Sequence, residues 1–274
     1  MTNTKNKLRA VLILIAMAGC ATRDNTDFQL FNIQTGVLAE ETAVALESAQ
    51  LLAETNLVEA INDGDRNLLE NLVLQRENIF TLGTDSTSIA ARLTEALSSA
   101  DEAAGVMGIY TLLLAEMTES QNIAFKVNAA AGPRMGILTA AIAALVEHGT
   151  IEHDAERTGR AMQTASPAID SISTAMAELT EAAANAVQAT YADMAARRQM
   201  CIVTTGYPAE AVMELVTLNQ QVTTLLHNLQ VIHDAWLTIP SIHYELMSSL
   251  SETSISATLR ILIERMNEIR EEEL

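Results

Sequence analysis

Apolar residues recur at intervals of three and four along most of the chain, and this spacing is the feature that most restricts the fold. Alternating β-branched runs, which are typical of strands, are nearly absent, and aromatic residues make up only 3% of a chain that is 49% hydrophobic. The longest periodic run extends from Ser86 to about Ala130, which as one helix would approach about 60 Å. Helices of that length need antiparallel partners. We therefore expect an all-α fold, an elongated antiparallel bundle of about five to seven helices, some of them long and coiled-coil-like.

Four stretches define the predicted core faces, each as an apolar stripe on one side of a helix. The first stripe consists of Phe28, Phe31, Leu38, Val44, Leu51, Leu52, Thr55 and Val58. The stripe after Pro167 consists of Ile169, Ile172, Met176, Leu179, Ala183, Ala186, Thr190 and Met194. The stripe after Pro208 consists of Val212, Leu215, Val222, Leu225, Leu229, Ile232 and Trp236. The last stripe consists of Leu259, Leu262, Met266 and Ile269.

Prolines and one β-branched run predict the breaks between helices. Ser166-Pro167 either starts a helix or kinks one, and serine as N-cap with proline in the first turn favours a start. The run Cys201 to Thr205 has strand composition, but a single run makes no sheet, so we expect an extended connector there. Pro240 is predicted to turn the chain into the last helix.

The first twenty residues have the pattern of an export signal. Lys5, Lys7 and Arg9 precede the apolar run Ala10 to Ala18, which is too short to span a bilayer. An ordinary signal peptide or an uncleaved anchor helix also fits this composition.

The run Met17-Ala18-Gly19-Cys20 resembles the lipobox of bacterial lipoproteins, with methionine where leucine is usual. This resemblance implies a signal peptide over 1–19 and a lipidated, palmitate-bearing Cys20. The small and polar residues that follow predict a short tether over 20–27, and the apolar spacing predicts a helical bundle domain over 28–274. Ala21 follows the lipidated position, where aspartate often favours the inner membrane, so the resemblance favours the outer membrane, facing the periplasm or the cell surface.

The charge of the chain limits its partners. Removing Lys5, Lys7 and Arg9 lowers the basic count from 16 to 13 against 35 acidic residues, so the mature chain carries about −22. Nucleic acid and bare anionic membrane would repel it at long range, and we expect no nucleic-acid partner. The predicted membrane contact is the lipid at Cys20.

Cysteine usage fits an exported protein without a disulfide framework. Lipidation of Cys20 leaves Cys201 alone. A lone thiol outside the cytoplasm is either buried and inert or pairs between chains, and we expect Cys201 to be buried.

Two groups of residues are candidate metal or ligand sites. The first consists of His148, Glu152, His153 and Glu156, in which the pairs 148/152 and 153/156 could each share a helical face. The two histidines are about 140° apart on an ideal helix, so a polar surface is the preferred interpretation. The second consists of His227, His233 and His243, which could converge across the predicted turn at Pro240 but more often play structural roles.

The sequence shows no catalytic motif. A nucleophile elbow, a zinc-protease helix motif, a phosphate-binding glycine loop and a dinucleotide fingerprint are all absent. We therefore expect a non-enzymatic, lipid-anchored envelope protein without a cofactor, with a structural or scaffolding role through a protein partner or self-association. The alternative is a periplasmic metal- or ligand-binding lipoprotein.

Overall fold

The computed structural model describes residues 26–62, 85–116, 155–248 and 257–272. These residues form five helices: α1 (Thr26–Asn62), α2 (Asp85–Glu116), α3 (Ala155–Thr204), α4 (Ala209–Ser248) and α5 (Ala257–Glu272). Within these ranges the structure contains no strand. The predicted all-α bundle is confirmed.

Hydrogen bonds between helices show whether neighbouring helices are parallel or antiparallel. Thr111 near the end of α2 donates to Asn32 near the start of α1 at 2.8 Å, so α1 and α2 are antiparallel. Asn56 near the end of α1 donates to Asp193 near the end of α3 at 3.1 Å, so these two helices are parallel.

The remaining helices fold back along this pair. Tyr191 donates to Asn219 at 2.9 Å across the hairpin that α3 and α4 form. The α5 helix runs back along α4, with Thr258 donating to Glu245 at its start. The α1 helix contacts all four other helices and lies at the centre of the bundle.

Three long seams of alternating three- and four-residue spacing form the core. On α1 the seam is Phe28, Phe31, Thr35, Leu38, Thr42, Ala45, Ala49 and Asn56. On α3 it is Ile169, Ser173, Met176, Thr180, Ala183, Val187, Thr190 and Met194. On α4 it is Leu218, Val222, Leu229, Ile232, Trp236, Ile239, His243 and Leu246. A seven-residue repeat of this kind keeps each seam facing its neighbours over many turns.

The predicted stripe on α1 is wrong in its second half. Val44, Leu51 and Val58 are 42%, 65% and 56% exposed, and Thr55 is also exposed. The buried residues of this half are Ala45, Leu46, Ala49, Ala53 and Asn56. Small side chains lie inside because α1 has neighbours on several sides, and alanine lets their backbones approach closely.

The predicted stripe on α3 is buried at Ile169, Met176, Ala183, Thr190 and Met194, and its other three residues pack at the edge of the core. Ile172, Leu179 and Ala186 are only half-buried, whereas Ser173 and Thr180 are fully buried. Position within the seven-residue repeat therefore outweighs side-chain polarity on this helix.

Both internal prolines lie inside continuous helices, Pro167 in α3 and Pro240 in α4. The predicted turn at Pro240 is therefore wrong, and so is a helix start at Pro167. An internal proline removes one backbone hydrogen bond at a cost of about 3 kcal/mol. Burial of Ile239 and Ile242 around Pro240 offsets that cost.

The predicted connector Cys201 to Thr205 is instead the end of α3. The N–H of Tyr207 donates to the carbonyl of Ile202 at 2.9 Å, and Gly206 has a φ of 82°. This is the Schellman arrangement that ends a helix. Ile202 takes the buried position, so Cys201 on the next side of the helix is exposed, and its predicted burial is wrong.

No helix in the described ranges combines the length and the apolarity that crossing a membrane requires.

Two glycine substitutions should have opposite effects on stability. Gly206→Ala places a side chain at a positive φ and should lower the free energy of unfolding by about 1 kcal/mol. Gly105→Ala lies inside α2 with open space around the new methyl group and should raise it by about 0.5–1 kcal/mol. Urea unfolding followed by circular dichroism measures both, and equal effects of the same sign would contradict the turn geometry.

Candidate interaction groove

Most predicted site residues lie outside the described ranges. These are Cys20, His148, Glu152 and His153. Glu156 is the second residue of α3, and its side chain is not among those described. The described part of the chain contains no group of three or more histidine, cysteine or acidic side chains that could hold a metal ion.

The other three histidines do not converge. His227, His233 and His243 lie on the single helix α4, with the outer two about 24 Å apart. His227 lies 3.5 Å from Glu268 on α5, and His233 lies 3.0 Å from the neighbouring Asp234. The continuous helix through Pro240 keeps these histidines apart. The prediction that they could converge into one site is therefore wrong.

His243 instead forms a buried pair with Tyr110. Its Nε2 atom lies 2.6 Å from the Tyr110 hydroxyl oxygen, and both side chains are almost fully buried. Burial lowers the pKa of His243 to about 4 and raises the pKa of Tyr110. Both groups are therefore neutral at physiological pH, and the pair joins α2 to α4 inside the core.

The described surface has an open groove between α1, α3 and α4, with a volume of about 1190 Å³. Its α1 wall consists of Ser48, Leu51, Leu52 and Thr55. Its α4 wall is mostly polar and includes Glu210, Glu214, Thr217, Gln221, Thr224 and Asn228. Its floor includes the buried side chains Met194, Leu218 and Val222. The groove thus has an α1 wall with Leu51 and Leu52 at its centre, a mostly polar α4 wall that also carries Met213, and an apolar floor.

The α1 wall continues a side of the helix that is buried closer to its N-terminal end. Val37 and Glu41 are 9% and 8% exposed. Residues 44, 51 and 58 follow Val37 at intervals of seven, and residues 48 and 55 follow Glu41 in the same way. Residues seven apart share one side of a helix. The same side of α1 is therefore covered at its first part and open at its second.

The α4 wall shows the same change. Val231, Ala235 and Ile242 are buried on the side that faces α5, where Glu245 contacts Thr258. Residues 210, 217 and 224 precede Val231 at intervals of seven, and residues 214, 221 and 228 precede Ala235. The groove is therefore the continuation of the surface on which α5 packs.

Polar contacts hold the base of the groove. Arg198 lies 2.5 Å from Glu59, which joins α3 to the last turns of α1. Arg197 pairs with Asp193 at 2.6 Å and also donates to the backbone carbonyl of Asn56 at 3.2 Å. Among the described residues that line the groove, Arg198 is the only basic one, and it already has an acidic partner.

The sequence analysis missed this groove, although its signal was present. The stripe predicted on α1 combined two separate sides, one through Leu38 and one through Val44, Leu51 and Val58. A helix that is apolar on two sides needs two sets of neighbours, and this condition could have separated the core from the groove.

The chain matches no protein-family profile, and neither a curated protein nor a solved structure shows significant similarity to it. The interpretation of the groove therefore depends on its geometry and chemistry alone.

The buried pair of Tyr110 and His243 makes the free energy of unfolding depend on pH. Between about pH 6.5 and pH 4 the unfolded chain binds a proton at His243 that the folded chain does not bind. Stability should therefore fall as the pH falls through this window, by about 3 kcal/mol in total. The double variant Tyr110→Phe, His243→Leu should lose this component. Urea unfolding of both proteins from pH 4 to pH 7.5 measures it, and parallel curves would refute the assignment.

Two leucines on α1 test whether the groove is open in the full chain. Leu46→Ala removes a fully buried side chain and should cost about 2–5 kcal/mol. Leu51→Ala removes a side chain that is 65% exposed and should change stability by no more than about 0.5 kcal/mol. Chemical denaturation gives both values. A large loss for Leu51→Ala would mean that another part of the chain covers the groove.

Proposed function

We propose that this chain is a lipid-anchored, helical protein of the cell envelope that binds a protein partner and has a structural or scaffolding role. One observation carries this proposal: exposed large apolar side chains concentrate at one end of the bundle. They are Leu51, Val58, Met200, Val203, Tyr207, Val212, Met213 and Val216. They surround the α3–α4 turn, which we call the hairpin end. A cluster of exposed apolar groups of this kind is typical of an interaction surface.

The position of this cluster relative to the anchor supports the proposal. Helix α1 begins at Thr26, and its other end lies beside the hairpin end, where Glu59 contacts Arg198. A helix of 37 residues is about 55 Å long. Since α1 begins inside the predicted tether over 20–27, a lipid at Cys20 would hold the opposite end of the bundle close to a membrane. The hairpin end would then be presented away from that membrane.

The charge of the chain supports attachment by lipid rather than by the protein surface. The net charge of −19 repels anionic lipid headgroups at long range. A single acyl chain binds membranes only marginally, so stable anchoring requires more than one. We propose the outer membrane, with the bundle facing the periplasm or the cell surface.

The anchor is tested by substituting the lipidated residue. Cys20→Ser should move the protein from the membrane fraction to the soluble fraction, and it should abolish incorporation of labelled palmitate. Mass spectrometry of the N-terminal peptide measures the lipid directly. An unmodified Cys20 in the native protein would refute the anchor. Stoichiometric metal in protein purified without a tag would instead favour a metal-binding lipoprotein.

A matched pair of tyrosines tests the hairpin end. Tyr207 at the turn and Tyr244 near the other end of α4 are 67% and 65% exposed. A photo-crosslinking amino acid at position 207 should give a discrete crosslinked product in native membranes, identifiable by mass spectrometry, and one at position 244 should not. Equal crosslinking at both positions would count against a binding surface at the hairpin end.

A further inference from the structure

We propose that the groove between α1 and α4 is the seat of an amphipathic helix of about four turns, with basic residues along one flank, supplied by a protein partner. This inference deepens the proposed function, since it assigns the chemistry of the partner at the same end of the bundle.

The first argument is that the groove continues a surface on which a helix of this chain already packs. Helix α5 packs against both α1 and α4. Its buried residues Leu259, Leu262, Met266 and Ile269 have the three- and four-residue spacing of a helix in a groove. Glu268, in its last turn, lies beside His227 of α4. Asn228 is the next residue of α4 and already lines the open groove. The groove therefore begins where α5 ends.

The second argument is size. The exposed part of this α1 side extends from Val44 to Val58, about 21 Å along the helix, and its middle part, from Ser48 to Thr55, lines the groove. A helix of about 14 residues has that length. Helix α5, which packs against both α1 and α4, has 16 residues.

The third argument is the chemistry of the two walls. Leu51 and Met213 are 65% and 61% exposed, so an incoming apolar side chain would cover apolar surface that now faces water. The rest of the α4 wall offers hydrogen-bonding groups, and the Oδ1 atom of Asn228 on this wall is buried without a hydrogen-bond partner. An occupant with one apolar side and one polar side satisfies both walls.

The fourth argument is charge. Glu210 and Glu214 are exposed and lie on the polar wall, whereas Arg198 is paired with Glu59. Basic residues on the occupant would therefore meet two carboxylates at the hairpin end of the groove. The net charge of −19 would also attract a basic partner from a distance.

The same features disfavour a second copy of this chain as the occupant. Two copies of a concave groove placed face to face leave the space between them unfilled. An isologous contact would also bring Glu210 and Glu214 of one copy towards the same residues of the other copy. Like charges in such a contact are repulsive.

The test uses three fluorescently labelled peptides of the same length as α5 and the full-length chain in mild detergent. The first peptide keeps the apolar spacing of α5 and carries lysine at its flanking positions. The second carries glutamate at those positions, and the third has the composition of the first in scrambled order. Fluorescence polarisation should show the lysine peptide binding at least about tenfold more tightly than the other two.

Variants locate the binding to the groove. Leu51→Gln and Met213→Gln should each weaken binding of the lysine peptide about tenfold or more. The control is Leu237→Gln, an exposed leucine of α4 outside the groove lining, and it should leave binding within about twofold.

Charge reversal tests whether the acidic residues of the groove contact the basic flank of the partner helix. The double variant Glu210→Lys, Glu214→Lys should reverse the preference and bind the glutamate peptide more tightly. The control is Glu178→Lys, Glu181→Lys on α3, which makes the same change in net charge with exposed residues outside the groove lining and should leave the preference intact.

Three results would overturn the inference. One is equal binding of all three peptides. Another is a concentration-dependent dimer in sedimentation that Leu51→Gln abolishes, which would assign the groove to a second copy. The last is binding only after residues 63–84 are replaced by a glycine-serine linker, which would assign the groove to the chain itself. None of these three results depends on the lipid. If one of them is found and position 207 still gives a crosslinked product, the groove inference fails but the proposed function stands.

Discussion

Close packing around α1 is the constraint on which the rest of the bundle depends. All four other helices contact this one, so it is buried on several sides at once. Ala45, Ala49 and Ala53 are buried in its second half and leave room for neighbouring backbones. Larger side chains there would push the neighbours apart and remove contacts along every seam. The alanine content of the chain therefore has a structural meaning, because it allows one helix to serve as the centre of a bundle.

Polar pairs inside the core set the register of the helices. Trp236 on α4 donates to Thr42 on α1 at 2.9 Å, and Tyr110 on α2 lies 2.6 Å from His243. Apolar contacts are not directional, so a seam of leucine and alanine can slide by one repeat at little cost. A buried polar group that loses its partner costs about 1–3 kcal/mol. These pairs make one register more stable than its neighbours, and the same burial makes His243 sensitive to acid.

The groove follows from a difference in helix length. Helices α1 and α4 have 37 and 40 residues, whereas α5 has 16. The short helix covers only part of the surface that the two long helices form together, and the remainder faces water beside the α3–α4 turn. Its composition differs from that of the covered part: Val231 and Ala235 give way on α4 to Thr224 and Asn228. This surface keeps its geometry but becomes more polar. It is therefore better suited to an occupant that binds reversibly than to a permanent part of the core.

The sequence by itself determined the helical class, the approximate helix positions, the seam on α5 and the seam on α4 from Val222 to Trp236, because three- and four-residue spacing is a local property of the chain. The first residue of the predicted α4 stripe, Val212, is exposed. It did not determine which side of α1 is buried, that Cys201 is exposed, or that the helices continue through Pro167 and Pro240. The sequence shows that α1 is apolar on two sides, but it does not show which of these sides has no neighbour, and that decides where the groove lies. Whether Leu51 faces a neighbour or water depends on where α5 ends, and α5 begins about two hundred residues further along the chain. Burial is decided by such distant neighbours, and only the tertiary structure brings them together.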